Sequence, residues 1–323
     1  MKPMLVGCPF DNGIRMMQRF RRGVSGAADA PPAVLALLNE PCPRTMIDLA
    51  AYQFTVTSAT VDDAASIRWQ NEQTLAAHNV ITREIRHLAE AGYLPMTIGG
   101  DHSITYPLYS GVAQAHLQSK LGLIYIDAHL DMRPLETHAG VSGLISSGNA
   151  FRRILEDKTI SIAGQNMVAI GIHRSNSTIF GEMEQFAHEH GVTIVDNDQC
   201  STMDIAAIAA KAVQIATAGM DGVYLSVDID AVEATSAPGV SAPAQQGLTP
   251  PHWFTLIEQI AASTNVLGFD LVEVSSCSSA WTTLFDQKNP SSSHQNPDVL
   301  TPTAQFAAQT IRHFQHAVAS RGL

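Results

Sequence analysis

The chain is 323 residues long, with 45% apolar and 15% charged residues. That supplies a sizeable core and excludes a disordered, collagen-like or coiled-coil protein. Thirty acidic against 19 basic side chains give a formal charge of −11, which argues against nucleic acid or an anionic membrane as partner, since both select clustered Lys and Arg.

In chain order, short apolar runs predict strands at Met4–Val6, Met46–Leu49, Leu94–Ile98, Leu121–Ile126, Met167–Ile172, Thr193–Val195, Gly222–Val227 and Val266–Leu271. They are apolar almost throughout, as strands of a parallel sheet covered by helices on both faces must be. Between them, helical spacing is clearest from about Ile67 to Ala91, where Leu75, Ile81, Ile85 and Leu88 recur. Further helices are predicted over Tyr106–Gln118, Ser177–His190, Met203–Ala218, Pro251–Ala262 and Thr303–Ala319, with Gly92, Gly191 and Gly219 placed to stop three of them. Strand alternating with helix predicts an α/β fold of three layers, αβα, around a mostly parallel sheet. No composition shift divides the chain, so residues 1–323 are expected to form a single domain. The polar tract Asp286–Asp298 is expected to be a surface loop.

No run approaches about 18 consecutive apolar residues, and the opening MKPMLVGCPFDNG soon turns polar, so neither a signal peptide nor a membrane span is expected. Cys8, Cys42, Cys200 and Cys277 lack C-x-x-C spacing, which suits reduced thiols in a cytoplasmic protein. Trp69, Trp253 and Trp281 are not interleaved with basic residues, unlike a nucleic-acid stacking face. The short basic run Arg19, Arg21, Arg22 reads as a solvated face or an anion contact.

The residues that follow the predicted strands carry the chemistry. Leu94–Ile98 is followed by Gly99-Gly100-Asp101-His102-Ser103, and Leu121–Ile126 by Asp127-Ala128-His129-Leu130-Asp131. Gly222–Val227 is followed by Asp228-Ile229-Asp230, and Val266–Leu271 shortly afterwards by Glu273. In open parallel sheets ligands bind outside the carboxyl ends of strands. Alternation along an extended chain would bring Asp127, His129 and Asp131 together, and likewise Asp228 and Asp230. Such a cluster cannot be buried bare, because an uncompensated carboxylate costs several kcal/mol. Two divalent cations match four aspartates and two neutral histidines, and a carboxylate–imidazole set without thiolate suits Mn²⁺, with Fe, Co, Ni or Zn also open by ligand type.

GGDHS, DAHLD and SVDIDAVEATSAPGVSAP resemble the three signatures of the ureohydrolase family, which comprises arginases, agmatinases, guanidino-acid hydrolases and formimidoylglutamases. PFDNG and VEV also have counterparts, so the likeness spans nearly the whole chain. The resemblance implies an arginase-like sheet of about eight strands, two Mn²⁺ ions and assembly as a homo-oligomer. It places His102, Asp127, Asp131 and Asp228 on one ion and Asp127, His129, Asp228 and Asp230 on the other. A pair of ions about 3.5–4 Å apart makes hydroxide available near neutral pH. Asp131 would orient that nucleophile and carry its proton, and Glu273 would receive a cationic amidinium.

Around the substrate the family's patterns diverge. Arginases carry a histidine within S-G-N-x-H-G and agmatinases at the start of H-G-T-x-F. The stretch Ser146-Ser147-Gly148-Asn149-Ala150-Phe151-Arg152 has neither. It is closer to the S-S-G-T-P-F of formimidoylglutamases, departing at Asn149 and Ala150. DAHLDMRP resembles their D-A-H-F-D-L-R, which puts Arg133 where a dicarboxylate can be gripped, and Gly171–Ser177 resembles their G-I-x-x-x-x-N-[ST]. The D-G-R-T sequence of many members has no counterpart near Asp286–Asp298. The small-molecule substrate implied is N-formimidoyl-L-glutamate, with Arg133, Asn149, Arg152 and Asn176 as candidate contacts and His138 and His173 as other candidates near the pocket. A guanidino-acid hydrolase, agmatinase or arginase releasing urea is the alternative. A metal-free regulatory relative predicts lost ligands, yet all six are present; a single-metal zinc deacetylase fits Asp228-Ile229-Asp230 less well than two ions do.

Overall fold

The computed structural model describes residues 1–19, 23–55, 63–160, 162–244, 246–277 and 297–321. Eight strands form the central sheet: β1 (Lys2–Gly7), β2 (Arg44–Met46), β3 (Tyr93–Ile98), β4 (Leu121–Ile126), β7 (Met167–Ile172), β8 (Thr193–Asp196), β9 (Gly222–Asp228) and β10 (Val266–Val272). Their spatial order is β2-β1-β3-β10-β9-β4-β7-β8, and every neighbouring pair runs parallel. The two strands formed last in sequence, β9 and β10, thus lie between β3 and β4. Four consecutive neighbours, β3, β10, β9 and β4, bring their carboxyl ends to the middle of one sheet edge.

Seven predicted strands are present with small changes of boundary. The exception is Met46–Leu49. The strand there is Arg44–Met46, exposed at each residue, while Ile47 and Leu49 are buried just beyond it. An edge strand is set by its backbone pairing, here Leu5 to Arg44 and Gly7 to Met46, and need not be apolar.

The strands alternate their side chains between two cores. Toward one face point Met96, Ile98, Ile124, Ile126, Leu225, Val227, Phe269 and Leu271. They pack on α2 (Ala30–Leu37), α8 (Ile205–Ala216), α9 (Pro250–Ser263) and α10 (Pro297–Ala319). The opposite face, with Leu123, Tyr125, Ala169 and Tyr224, meets α3 (Ala64–Glu90), α4 (Thr105–Ala115), α5 (Ala150–Glu156) and α6 (Thr178–Glu189). Burying both faces explains why these strands read as continuous apolar runs.

Several elements were not foreseen. Helix α1 (Asn12–Arg19) and α2 follow β1, the latter carrying Pro31-Pro32 directly after its first residue, Ala30, where their fixed φ suits a first helical turn. A hairpin, β5 (Glu136–His138) and β6 (Val141–Leu144), turns on Ala139 and Gly140, both at positive φ. The predicted helix Met203–Ala218 is α8, begun two residues later where Asp204 caps it through Ala206 N–H, while the short α7 (Asn197–Thr202) before it was not foreseen. The predicted loop Asp286–Asp298 lies largely outside the described residues, its last two belonging to α10. Arg21, Arg22, Trp281 and His294 also lie outside them. Among the described residues no helix is long and apolar enough to cross a membrane.

The exit loops of β1 and β3 interlock. Gly100 N–H donates to the Cys8 carbonyl at 3.0 Å and Asp101 N–H to the Phe10 carbonyl at 3.1 Å. A Cβ on Gly100 would lie 1.7 Å from the Phe10 oxygen, a backbone atom that cannot swing aside. Gly100→Ala is therefore expected to cost on the order of 3 kcal/mol, measured as a lower urea midpoint at unchanged slope. An unchanged midpoint would contradict this close approach.

Candidate metal centre

Asp101 caps the turn that carries His102. Its carboxylate accepts Ser103 N–H at 2.9 Å and Ile14 N–H, from α1, at 2.7 Å. Burial, opposed by hydrogen bonds and reinforced by Asp11, pushes its pKa to about 7. Glu273 secures the same turn from just past β10, accepting His102 N–H at 2.8 Å and donating its own N–H to the Gly100 carbonyl at 2.9 Å. Phe151 meets the His102 ring edge to face at 5.0 Å and stacks on Tyr125.

Asp127 follows β4 directly, and Asp228 is the last residue of β9. The segment after β4 is not extended: Asp131 adopts φ 44°, and Asp228 caps a short 3₁₀ turn at Ile229–Ala231 by accepting Asp230 N–H at 2.8 Å. Convergence therefore arises from turns at the strand ends, not from the strand alternation expected from sequence. Glu273 is likewise past the end of β10, at φ 64°, so the strand stops one residue short of it. Non-glycine residues in the left-handed region are uncommon and cluster at functional sites; two of the three described here are candidate site residues.

The side chains then meet in two groups. His102 Nδ1 lies 3.1 Å from Asp127 Oδ2, 3.2 Å from Asp131 Oδ2 and 3.1 Å from Asp228 Oδ2. His129 Nδ1 lies 3.0 Å from Asp230 Oδ2 and 3.6 Å from Asp127 Oδ1. The potential ligand atoms of His102, Asp127 and Asp228 all fall within 4.8 Å of one another, as do those of Asp127, His129 and Asp230. Asp127 belongs to both groups, one oxygen toward each. His102, Asp127 and Asp228 are buried, whereas the His129 side chain is 47% exposed, so the second group faces solvent.

The electrostatics are those of crowded anions. Burial, with Asp230 and Asp127 nearby, pushes Asp228 well above the usual carboxylate range, and burial and Asp127 raise Asp131. Burial opposes charge on His102, but its contacts with Asp127, Asp131 and Asp228 outweigh that and push it well above an ordinary imidazole. His129 follows the same pattern through Asp230 and Asp127. His102 Nδ1, Asp127 Oδ2 and Glu273 Oε2 are buried without a hydrogen bond. Buried polar atoms left without hydrogen bonds at the meeting point of hard oxygen and imidazole donors fit divalent cations.

The six residues expected to hold metal thus come together, with Glu273 beside them. The expected substrate contacts are distributed differently. Arg133 runs along Gly148, where an added Cβ would lie 2.7 Å from its Cδ, and its N–H donates to the Gly148 carbonyl at 2.9 Å. Asn149 is buried and engaged by its own loop: Oδ1 accepts Ser146 N–H and Nδ2 donates to the Leu144 carbonyl. Arg152 pairs with Glu156 at 2.9 Å and lies over the Phe186 ring of α6, 4.0 Å from its centroid. Asn176 is exposed in the loop after β7. His138 ends β5, and His173 donates its N–H to the Ala128 carbonyl, next to His129. Burial and the nearby His129 hold His173 below the usual imidazole range. The sequence reading overlooked Asp270 and Ser226, which sit beneath His102; the signal available was a carboxylate inside the apolar strand VLGFDLV.

The Arginase family profile matches residues 2–283. The formimidoylglutamase of Geobacillus thermodenitrificans (strain NG80-2) is 32% identical over 274 residues, covering 83% of this chain and 76% of that protein. The human mitochondrial guanidino acid hydrolase is 32% identical over 188 residues, covering 58% of this chain and 50% of its own length. Among solved structures, formimidoylglutamase from Bacillus subtilis subsp. subtilis str. 168 superposes with a TM-score of 0.73 at 23% identity, over 98% of this chain and 87% of that one. Trypanosoma cruzi formiminoglutamase with Mn²⁺ gives 0.71 at 19% identity, over 99% and 94%. These structural likenesses support the fold, and the sequence match carries the kinship: the chain belongs to the arginase family, hydrolases of C–N bonds.

Proposed function

We propose that this protein is a binuclear manganese hydrolase of linear amidines that converts N-formimidoyl-L-glutamate and water to L-glutamate and formamide, a step of histidine breakdown. The observation that carries the reading is one carboxylate, Asp127, shared by two groups of metal-ligating atoms at one sheet edge. Identity of 32% to a formimidoylglutamase over most of the chain supports the substrate. A single-domain homo-oligomer acting in the cytoplasm on a small molecule is the setting proposed with it.

In this reading His102, Asp127, Asp131 and Asp228 hold one Mn²⁺, and Asp127, His129, Asp228 and Asp230 the other. When bound, such a pair of cations lowers the pKa of a shared water from about 15.7 toward neutrality and supplies hydroxide. The chain's own groups do the rest. Asp131, held at φ 44° beside His102, takes the proton of the attacking water and delivers it to the departing glutamate nitrogen as the carbon–nitrogen bond breaks. Glu273 Oε2, buried and free of hydrogen bonds, faces the cationic amidinium as its counter-charge. Arg133, laid along Gly148, receives a carboxylate of the glutamate portion. A formimino carbon has one nitrogen fewer than a guanidinium to share its charge, so it needs less acid–base assistance, consistent with Ser147-Gly148-Asn149-Ala150 lacking the histidine of urea-releasing relatives. The second reading, a guanidino-acid hydrolase releasing urea, draws on the human relative.

Three outcomes test this. Offered formimidoylglutamate, arginine, agmatine and guanidinobutyrate, the manganese-loaded protein is expected to release formamide from the first and little urea from the others; the reverse supports the second reading. Asp228→Ala is expected to lower bound manganese and to cut turnover at least a hundredfold, on the order of what ligand-shell changes cause; full metal content with full turnover would contradict the ligand set. Cations must also displace protons from His102 and His129, whose pKa values are raised in the absence of metal. Manganese affinity is therefore expected to rise with pH, with proton release seen in calorimetric titrations run in buffers of different ionisation enthalpy. The same sign governs the metal-free fold: the two imidazoles stabilise it at low pH, and that contribution fades as pH climbs through their raised values. A pH-independent affinity would contradict the assignment.

A further inference from the structure

Beneath the candidate metal centre, on the α3–α4 face of the sheet, a line of buried polar groups runs along the two central strands. Asp270 of β10 is fully buried. Its Oδ1 accepts the Ser226 hydroxyl at 2.6 Å, and its Oδ2 accepts the Tyr224 hydroxyl at 2.7 Å and the Thr105 hydroxyl at 3.1 Å. Ser226 Oγ lies 3.1 Å from His102 Nε2. Tyr224, Ser226 and Asp228 alternate along β9, so they share one face, and the line ends at a candidate ligand.

We propose that Asp270 is a positioning residue which, through the Ser226 hydroxyl, holds a His102 N–H on Nε2, so that Nδ1, facing Asp127, Asp131 and Asp228, is the nitrogen left for a cation. The argument is a count of protons. A serine hydroxyl has one hydrogen, and the 2.6 Å contact spends it on Asp270. Ser226 Oγ can then only accept from His102, so Nε2 must bear the hydrogen. With Nε2–H committed to Ser226, any second proton on the ring sits on Nδ1 among the three carboxylate oxygens 3.1–3.2 Å away, and a cation that displaces it meets the Nδ1 lone pair there. A carboxylate behind a ligating histidine is a general means of fixing ring orientation and basicity; here the carboxylate acts through an intervening hydroxyl, and three hydroxyl donors hold it in place. The inference rests on the metal-centre reading above.

The most direct test is the long-range ¹⁵N–¹H spectrum of His102 in the full-length protein loaded with diamagnetic Zn²⁺. Wild type is expected to show Nε2 protonated and Nδ1 bare; Nδ1 protonated would overturn the relay. Ser226→Ala and Asp270→Asn, each checked for folding by circular dichroism, are expected to weaken Mn²⁺ binding in equilibrium dialysis by about 10–100-fold. Tyr224→Phe, which removes a donor to Asp270 but leaves the relay intact, is expected to stay within about threefold of wild type. Folded Ser226→Ala and Asp270→Asn proteins with wild-type affinity would overturn the proposal while leaving the metal reading intact. A wild-type protein that binds no Mn²⁺ would overturn both. If neither variant folds, the wild-type spectrum decides.

Discussion

Like charge crowded into a water-poor site is the constraint on which the rest of the molecule turns. Asp127, Asp131, Asp228 and Asp230 converge with two imidazoles at the carboxyl ends of neighbouring strands, and the deepest of them are removed from solvent. A carboxylate in such a place must be neutralised, paired or metal-bound. The raised pKa values of Asp228 and Asp131 express the first pressure, and the raised values of His102 and His129 the second. In the proposed function divalent cations would relieve both pressures together, replacing the protons and leaving every carboxylate charged.

Holding these groups together needs a frame that cannot relax, and the parallel sheet supplies it. Insertion of β10 and β9 between β3 and β4 sets four exit loops side by side. The β1 exit loop then clamps the β3 loop through Gly100 and Asp101, and Glu273 holds the backbone of His102 from the other side. The positive φ values of Asp131 and Glu273 are maintained by this surrounding packing. Such preorganisation lets a site bind cations without paying ordering entropy at the moment of binding.

Much of this was legible in the sequence because burial on both faces writes parallel strands as apolar runs, and each polar residue directly after such a run is conspicuous. DAHLD and DID stood out for that reason. The mechanism of convergence was not legible: alternation along a strand was the natural guess, whereas turns at Asp131 and Asp228 do the work. Short elements were hidden as well. Helix α1 and the hairpin after Asp131 are too brief for periodicity to register, and α2 is disguised by Pro31-Pro32. Among the substrate candidates, local rules could have been applied further. Ser146 and Asn149 have the spacing of a capping box, and Arg152 and Glu156 that of a helical ion pair. Asp270 could not be interpreted alone, since a lone carboxylate in a strand has meaning only once Tyr224, Ser226 and Thr105 are seen around it.

The central claim is positional, so it is best tested by locating metal directly. Crystals grown with manganese should show two anomalous peaks, one among His102, Asp127 and Asp228 and the other among Asp127, His129 and Asp230, with Asp127 touching both. A lone peak, or peaks away from Asp127, would contradict the account.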